Sequence, residues 1–301
     1  MEKLLYIIIG LLAVACGSNT ESNKQLTQEN YALVAEFYKT YIQQKFGDDT
    51  TAIQQFLEQE AESLDSCFLI HYTRPINGYD IRMKVDLIDR IVDNVVCDGQ
   101  IVITNEDKTI SIDQFIVNMS DSVFNGFKKQ IINEIEFDIK KSPFQENLKY
   151  PHFGEYKSMP FFFFDADFDG VEELVIRDSG IGQRGLNCYY PIKLDWKKCN
   201  WEISENMICE NSDTMSHTHF YPFDDMTQFD FANNVFILYL SAGWWDNEWD
   251  YYKVENGEGK LIKRIVEYDR NDPKVMRITY NGNDSTITSI PTFKDNSYSI
   301  D

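Results

Sequence analysis

The 301-residue sequence predicts an α+β protein, in which a helix-rich N-terminal α+β domain is followed by a mainly antiparallel β domain. Between residues 31 and 64, apolar side chains recur at intervals of three and four, which is the period of an amphipathic helix. From residue 161 onward, short apolar and aromatic runs alternate with Gly, Asn and Asp, as in strands joined by turns. With 43% apolar and 14% aromatic residues, the chain has the composition of a globular protein.

The first 27 residues predict export and a membrane anchor. Residues 4–15 are mostly apolar but too few to cross a bilayer as a helix, which takes about 20 residues. Ala13-Val14-Ala15-Cys16 resembles the bacterial lipobox. That resemblance implies a signal peptide over residues 1–15, lipid on Cys16, and attachment to a membrane of the bacterial cell envelope. Gly17 then favours the outer membrane, and the polar residues 16–27 predict a flexible tether. An ordinary secretory signal that contains a cysteine is the alternative.

Residues 28–145 are expected to form the α+β domain. A helical stripe starts at Tyr31 and Gly47 can end it, and a second helix is expected to begin near Asp49 or Thr50. Residues 80–87 alternate between apolar and charged side chains, which predicts a strand. The opening Phe-Tyr-x-x-Tyr helix loosely resembles small cystatin-like lipoprotein domains of unknown function.

Two more elements complete this predicted domain. Asp98-Gly99 lies between apolar runs, which predicts a hairpin turn. Apolar residues then step by four across residues 123–139, which predicts a long helix that ends before Pro143. Prolines at 143, 151 and 160 mark the expected domain boundary. Residues 155–301 are predicted to form the β-rich domain, with turns at residues 256–259 and 281–284.

The clearest chemical motif is a cluster of carboxylates in residues 165–173. Asp165, Asp167 and Asp169 occupy loop positions 1, 3 and 5, and Gly170 follows at the sharp turn. The Val171 carbonyl and the Glu173 carboxylate can add two more oxygen ligands, so the spacing predicts a calcium site. An acidic β-turn without an ion is the alternative.

Apolar runs that are expected to be strands flank this loop on both sides, whereas an EF-hand has helices there and a Glu at its twelfth position. The pattern D-x-D-x-D-G-x-x-E between strands resembles the calcium hairpin loops of FG-GAP and integrin-type propeller blades. The pattern occurs once, so the resemblance implies a loop type with a structural Ca²⁺ and no propeller. Lone loops of this kind also resemble those of exported β-domain proteins, including some lysozyme inhibitors.

A second informative stretch is rich in aromatic residues. Trp244, Trp245, Trp249 and Tyr251 lie within eight residues and are interleaved with acids. Such a surface can stack sugar rings or dock a protein partner. Alternate side chains packing into a sheet core would explain the same pattern.

Net charge and cysteine content restrict the partners and the compartment. A net charge of −21 argues against nucleic acid as a partner. If Cys16 carries lipid, an odd number of cysteines is left, so at least one thiol stays free or pairs with another molecule. Cys67 with Cys97 is one candidate disulfide, and two of Cys188, Cys199 and Cys209 can form another.

Three functions remain open from the sequence. The first is a non-catalytic, membrane-tethered binding or envelope protein whose β-domain is stabilised by calcium, with a protein or a glycan as ligand. The second is an inhibitor or immunity-type protein against a basic hydrolase such as a lysozyme-like enzyme. The third is a carbohydrate-binding or glycan-processing lipoprotein that uses the Trp-rich segment. Nucleophile and metalloprotease motifs are absent from the sequence, so an enzyme is not expected.

Overall fold

The computed structural model describes residues 28–64, 67–91, 94–127, 132–139, 141, 148–178, 187–203, 223–241, 246–256, 258–268, 274–281 and 284–290. These residues form mostly antiparallel strands in three sheets. The contacts divide the chain into two compact units. The first comprises residues 1–139, 158–160 and 193–202, and the second comprises residues 140–157, 161–192 and 203–301. The predicted signal peptide, Cys16 and tether lie outside the described residues. In the described part of the chain, no helix has the length and apolarity needed to cross a membrane.

The first unit opens with three helices where the sequence predicts two, because a turn at Tyr38 divides the first predicted helix. They are α1 (Gln28–Phe37), α2 (Lys39–Phe46) and α3 (Thr50–Ser63). Gly47 ends α2 with a φ of 56°, a backbone conformation that glycine adopts without a steric penalty. Asp49 caps α3, because its Oδ1 accepts hydrogen bonds from the Thr51 and Ala52 N–H groups at 3.1 Å. The apolar faces of these helices pack around Tyr38 and Ile42, which are buried.

A five-stranded sheet forms the rest of the first unit. Its strands are β1 (Cys67–Tyr72), β2 (Asp80–Ile91), β3 (Asn94–Asn105), β4 (Lys108–Ser120) and β5 (Ile132–Ile135). The order is β4-β3-β2-β1-β5, and only the β1–β5 pair is parallel. A short helix, α4 (Asp121–Asn125), follows β4. The prediction of a helix-rich first domain is therefore wrong, because the strands of this unit contain more residues than its helices.

Two local predictions in this unit are also wrong. Asp98 and Gly99 do not form a turn, since both pair with β2 on one side and β4 on the other. The register shifts between Gly99 and Ile101, so the Asp-Gly pair lies at an irregularity inside a continuous strand. The predicted helix over residues 123–139 is replaced by α4 and β5. The β-branched Ile132 and Ile135 pair with β1, an interior strand of the sheet, and this tertiary pairing prevails over the helical spacing.

The predicted Cys67–Cys97 disulfide is excluded by the sheet. Cys67 pairs with Asp86 of β2 from one side, and Cys97 pairs with Leu87 of β2 from the other side. Two strand spacings, about 10 Å, therefore separate them, whereas a disulfide needs Cα atoms roughly 4–7 Å apart. Among the described residues, Cys67, Cys97, Cys188 and Cys199 form no disulfide with one another. Cys209 lies outside the described residues, so a bond to it stays a prediction.

The second unit contains the strands predicted for the C-terminal half. One sheet has the order β10-β8-β7-β6, and its strands are β6 (Phe161–Phe164), β7 (Glu173–Asp178), β8 (Cys188–Asp195) and β10 (Phe223–Asp224). The strand β9 (Asn200–Ile203) also pairs with β8, and residues 193–202 of these two strands belong to the first unit. The other sheet runs in chain order through β11 (Gln228–Asp230), β12 (Val235–Ser241), β13 (Asp246–Glu255), β14 (Glu258–Tyr268), β15 (Lys274–Asn281) and β16 (Asp284–Ile290).

The main core of this unit is aromatic and joins its two sheets. Phe153, in a 3₁₀ turn (Phe153–Tyr156), is fully buried among rings of both sheets. Phe223 of one sheet lies with its ring centroid 5.3 Å from that of Phe236 in the other. Tyr251 and Ile265 form a second, smaller cluster on the opposite face of the six-stranded sheet. We call this opposite face the outer face.

Candidate metal site

The carboxylate loop connects β6 and β7, which pair antiparallel from Phe161↔Ile176 to Phe164↔Glu173. Residues 165–172 therefore form the tip of a hairpin, with strands on both sides as the sequence predicts. Because the two strands belong to the core sheet, the ends of the loop are held at a fixed separation. The loop is thus built on a rigid support.

Packing of its inner residues fixes the shape of the loop. Ala166 is fully buried, and the Phe168 ring centroid lies 5.2 Å from that of Phe231 and 6.1 Å from that of Phe229. Phe168 has a φ of 60°, which is strained for a bulky side chain by an amount of order 1–3 kcal/mol. Gly170 has a φ of 85°, a conformation that favours glycine. The aromatic contacts of Phe168 offset the strain of its backbone.

Three of the predicted ligands are brought together. One carboxylate oxygen each from Asp165, Asp167 and Glu173 lies within 4.8 Å of the others. Asp167 is only 3% exposed and Glu173 only 5%. Asp169 is exposed and lies outside this group, and the Val171 side chain is exposed while its N–H donates to Asp169 Oδ1 at 2.7 Å. The predicted five-residue set therefore contains a compact group of three.

Backbone N–H groups of the loop point at these carboxylates. Ala166 N–H donates to Glu173 Oε2 at 2.9 Å, and Gly170 N–H donates to Asp165 Oδ2 at 3.2 Å. Asp169 N–H donates to Asp167 Oδ1 at 3.2 Å. These bonds orient the side chains toward one another, but an N–H dipole compensates a full negative charge only in part.

One oxygen in the group lacks a partner. Asp165 Oδ1 is buried and accepts no hydrogen bond from any residue that the structure describes. Burial raises the pKa of Asp165, and the nearby charges of Asp167 and Asp169 raise it further. A buried acceptor beside other carboxylates is the environment that a hard cation satisfies, since Ca²⁺ takes oxygen ligands in flexible geometry. The residues present fit such an ion.

The Trp-rich segment is described only in part. Trp244 and Trp245 lie outside the described residues. Trp249 is half-buried on the outer face, with its ring centroid 5.5 Å from that of Tyr239. Tyr251 is 6% exposed and belongs to the cluster on the same face. Of the four residues of the predicted stacking surface, the structure thus describes a partly accessible Trp249 and a buried Tyr251.

A buried polar network escaped the sequence analysis. Tyr189 Oη donates to Asp225 Oδ1 at 2.5 Å, and the Asn187 side-chain and backbone N–H groups donate to the same carboxylate. Arg177 is also buried here, and desolvation lowers its pKa while Tyr189 and Asp225 oppose that shift. These residues are distant in sequence and match no motif, so only the pairing of β7, β8 and β10 could reveal them. Their hydrogen bonds link the strands and indicate a structural role.

Comparison with known proteins assigns no family to the chain. No family model matches the sequence, and no curated protein matches it. One solved structure, described as "Structure of a Xanthomonas Type IV Secretion System related protein", is similar with 15% sequence identity and a TM-score of 0.46. That similarity covers 74% of this chain and 93% of the other chain. A similarity at this level establishes neither a common fold nor a common function.

Proposed function

We propose that this protein is an exported, lipid-anchored envelope protein with a non-catalytic binding role, and that calcium stabilises its β-rich second unit. The observation that carries the calcium assignment is the group formed by Asp165, Asp167 and Glu173, whose oxygens lie within 4.8 Å of one another. The lipid anchor rests on the sequence Ala13-Val14-Ala15-Cys16. No catalytic role is included, because the sequence contains no recognised nucleophile or metalloprotease motif.

Electrostatics supports a cation at this loop. Asp167 and Glu173 are almost completely buried, and burying ionised carboxylates close together is costly unless a positive charge compensates them. Asp165 Oδ1 has no hydrogen-bond donor among the described residues. A divalent cation bound to these oxygens would neutralise the group and satisfy Asp165 Oδ1.

The donor set supports calcium over a transition metal. All three side chains offer carboxylate oxygens, whereas zinc sites are usually built from Cys and His. Magnesium demands near-ideal octahedral geometry and keeps several waters, whereas calcium accepts the irregular oxygen cage of a loop. Extracellular calcium modules bind with dissociation constants on the order of 10⁻⁴–10⁻³ M. An exported protein meets calcium in that range more readily than a cytoplasmic one.

The role we assign to the ion is structural. The loop closes the β6–β7 hairpin, and β6 and β7 carry Phe162, Phe164 and Val175 of the aromatic core. Neutralising the carboxylates would keep this hairpin closed and hold the core strands in register. The ligand of the binding role is then expected elsewhere on the second unit.

Calcium titration tests the proposal directly. The purified protein is stripped of metal and titrated with Ca²⁺ by calorimetry, and its thermal unfolding is recorded with and without the ion. The parent is compared with an Asp167→Ala, Asp169→Ala variant and with Glu172→Ala. Glu172 is the matched control, because it is exposed in the same loop and lies outside the carboxylate group.

We expect calcium to raise the melting temperature of the parent and of Glu172→Ala, and to leave the double variant unchanged. No response of the parent at millimolar calcium would reject the metal site and leave an acidic turn. The anchor is tested separately, since Cys16→Ser should release the protein from the membrane fraction. Retention of that variant in the membrane would reject lipidation at Cys16.

A further inference from the structure

The outer face of the six-stranded sheet carries a group of positive charges. Tyr251 of β13 lies opposite Lys263 of β14, and Ile265 of β14 lies opposite Arg277 of β15. Residues that lie opposite each other on paired strands share a face, and so do alternate residues of one strand, such as Lys263 and Ile265. The side chains at positions 251, 263 and 277 therefore belong to the same face. Tyr150 packs on the small cluster of this face, and Lys149 precedes it in the chain.

Two of these cations lie over aromatic rings, and the charges of Arg277 and Lys149 act on Lys263. The Nζ atom of Lys263 lies 3.5 Å from the centroid of the Tyr251 ring, and that of Lys149 lies 5.3 Å from the centroid of the Tyr150 ring. Burial lowers the pKa of Lys263, and the charges of Arg277 and Lys149 lower it further. Three positive charges therefore act on one another on a protein whose net charge is −21.

Two buried polar atoms of this group have no hydrogen-bond partner among the described residues. Tyr251 is 6% exposed, and its Oη forms no hydrogen bond with any residue that the structure describes. Arg277 Nε is also buried and has no partner within the same residues. A buried polar atom without a hydrogen bond destabilises the folded state. A ligand that accepts hydrogen bonds would remove that cost.

The opposite face of the same sheet shows the contrast. Arg264, next to Lys263 in the chain, is paired with Asp250 through Nε at 2.6 Å and Nη2 at 2.7 Å, and with Glu248 at 2.9 Å. Neither Lys263 nor Arg277 has a carboxylate within 4.0 Å in the described part of the chain. Among the described residues, the sheet thus pairs the inward Arg264 with carboxylates and leaves Lys263 and Arg277 without one.

We propose that Lys263, Arg277 and Tyr251 form a binding site for an oxyanion, the carboxylate or phosphate group of a small ligand. An oxyanion has negative charge for the two cations and lone pairs for Arg277 Nε–H and Tyr251 Oη–H. Lys149 adds a third positive charge. Trp249, two residues from Tyr251 on the same strand and half-buried on the same face, offers a ring surface to the rest of the ligand. This site gives a ligand class to the binding role proposed above, on which it rests, and does not require the calcium loop.

The test is a calorimetric titration of the purified protein at low ionic strength. The probes are inorganic phosphate, glucuronate and, as a neutral reference, glucose. The variants are Arg277→Gln, Lys263→Gln and Tyr251→Phe. Lys253→Gln is the matched control, because Lys253 lies on β13 beside the site, loses the same charge and is paired with Glu255 at 3.3 Å.

We expect the parent to bind phosphate or glucuronate in preference to glucose. A hydrogen bond to a charged group is worth about 1.5–3 kcal/mol, so Arg277→Gln and Lys263→Gln should each weaken binding about tenfold or more. Lys253→Gln should change it less than about twofold, since the charge of Lys253 is already paired with Glu255 and partly exposed to solvent. Tyr251→Phe removes only the hydroxyl of a buried ring. If the charge variants unfold, the affinity of Tyr251→Phe for the anion is compared with that of the parent instead. Preference for phosphate indicates a phosphoryl ligand, and preference for glucuronate indicates a carboxylate ligand.

The inference is overturned if the parent binds neither anion, or if Lys253→Gln weakens binding as much as Arg277→Gln. Repeating the titration with Asp167→Asn separates the two proposals. Anion binding that persists when the calcium response is lost assigns the two properties to different sites. A calcium response without anion binding rejects this inference alone.

Discussion

Replacing Asp167 with Asn should change the stability of the protein differently in metal-free buffer and in calcium. The substitution removes one of two buried charges and keeps an Oδ1 acceptor for the Asp169 N–H. Two unit charges at 4.8 Å, the limiting separation of the carboxylate oxygens, repel by about 3 kcal/mol at an effective dielectric constant of about 20. In metal-free buffer the variant is therefore expected to be more stable than the parent by roughly 1–3 kcal/mol, because the amide cannot replace every contact of the carboxylate.

Calcium should offset this difference. For a dissociation constant on the order of 10⁻⁴–10⁻³ M, about 10 mM calcium stabilises the parent by about 1.4–2.7 kcal/mol. Asp167→Asn loses a ligand and should gain much less. Urea unfolding in chelator and in calcium gives the two free energies, and hydrogen exchange of the β6 and β7 amides locates the change. An Asp167→Asn variant that is less stable than the parent in chelator would refute the reasoning from repulsion, and Glu172→Gln controls for loss of charge alone.

Three further predictions concern the second unit. Phe153→Ala should lower the free energy of unfolding by about 3–5 kcal/mol, because five aromatic ring centroids lie 4.7 to 5.6 Å from the centroid of this ring. Urea unfolding measures this loss, and an equal loss from Phe231→Ala, at an exposed ring, would contradict the prediction. Asp250→Asn should lower the free energy of unfolding by about 3 kcal/mol, since it leaves Arg264 without its bidentate partner. An unchanged melting temperature would count against this prediction. Burial raises the pKa of Asp224 to about 6, above about 4 in the unfolded chain, so the native state binds more protons between these values. Stability should then fall by about 3 kcal/mol from pH 4 to 6, and Asp224→Asn should remove that slope in melts recorded across the range.

Elements with a strong local signal could be predicted from the sequence. Asp49 and Gly47 define the ends of two helices through capping chemistry that depends only on neighbouring residues. The loop ligands Asp165 and Asp167 could be predicted for the same reason, since they lie two residues apart in one turn. The antiparallel second half followed from alternating runs and turn residues.

Elements that depend on distant pairing could not be predicted. Ile135 belongs to the run that steps by four, yet it forms a strand with Ile132 because β1 offers a parallel partner that lies far away in sequence. Asp98-Gly99 has the composition of a turn, but β2 and β4 extend the ladder past it on both sides. Lys263 and Arg277 carry no motif, and only the register of β13, β14 and β15 brings them near Tyr251.

The register also shows that the sheet offers positions where a carboxylate could pair with Lys263 and Arg277. Thr279 of β15 lies opposite Lys263, and Thr288 of β16 lies opposite Arg277. An acidic residue at either position would lie next to the cation. The chain has 49 acidic residues, and the other face of the same sheet pairs Arg264 twice. A neutral threonine at both places keeps the two cations available to a negative group from solution. An anionic ligand would thus supply on the outer face the charge that Asp250 and Glu248 supply on the inner one.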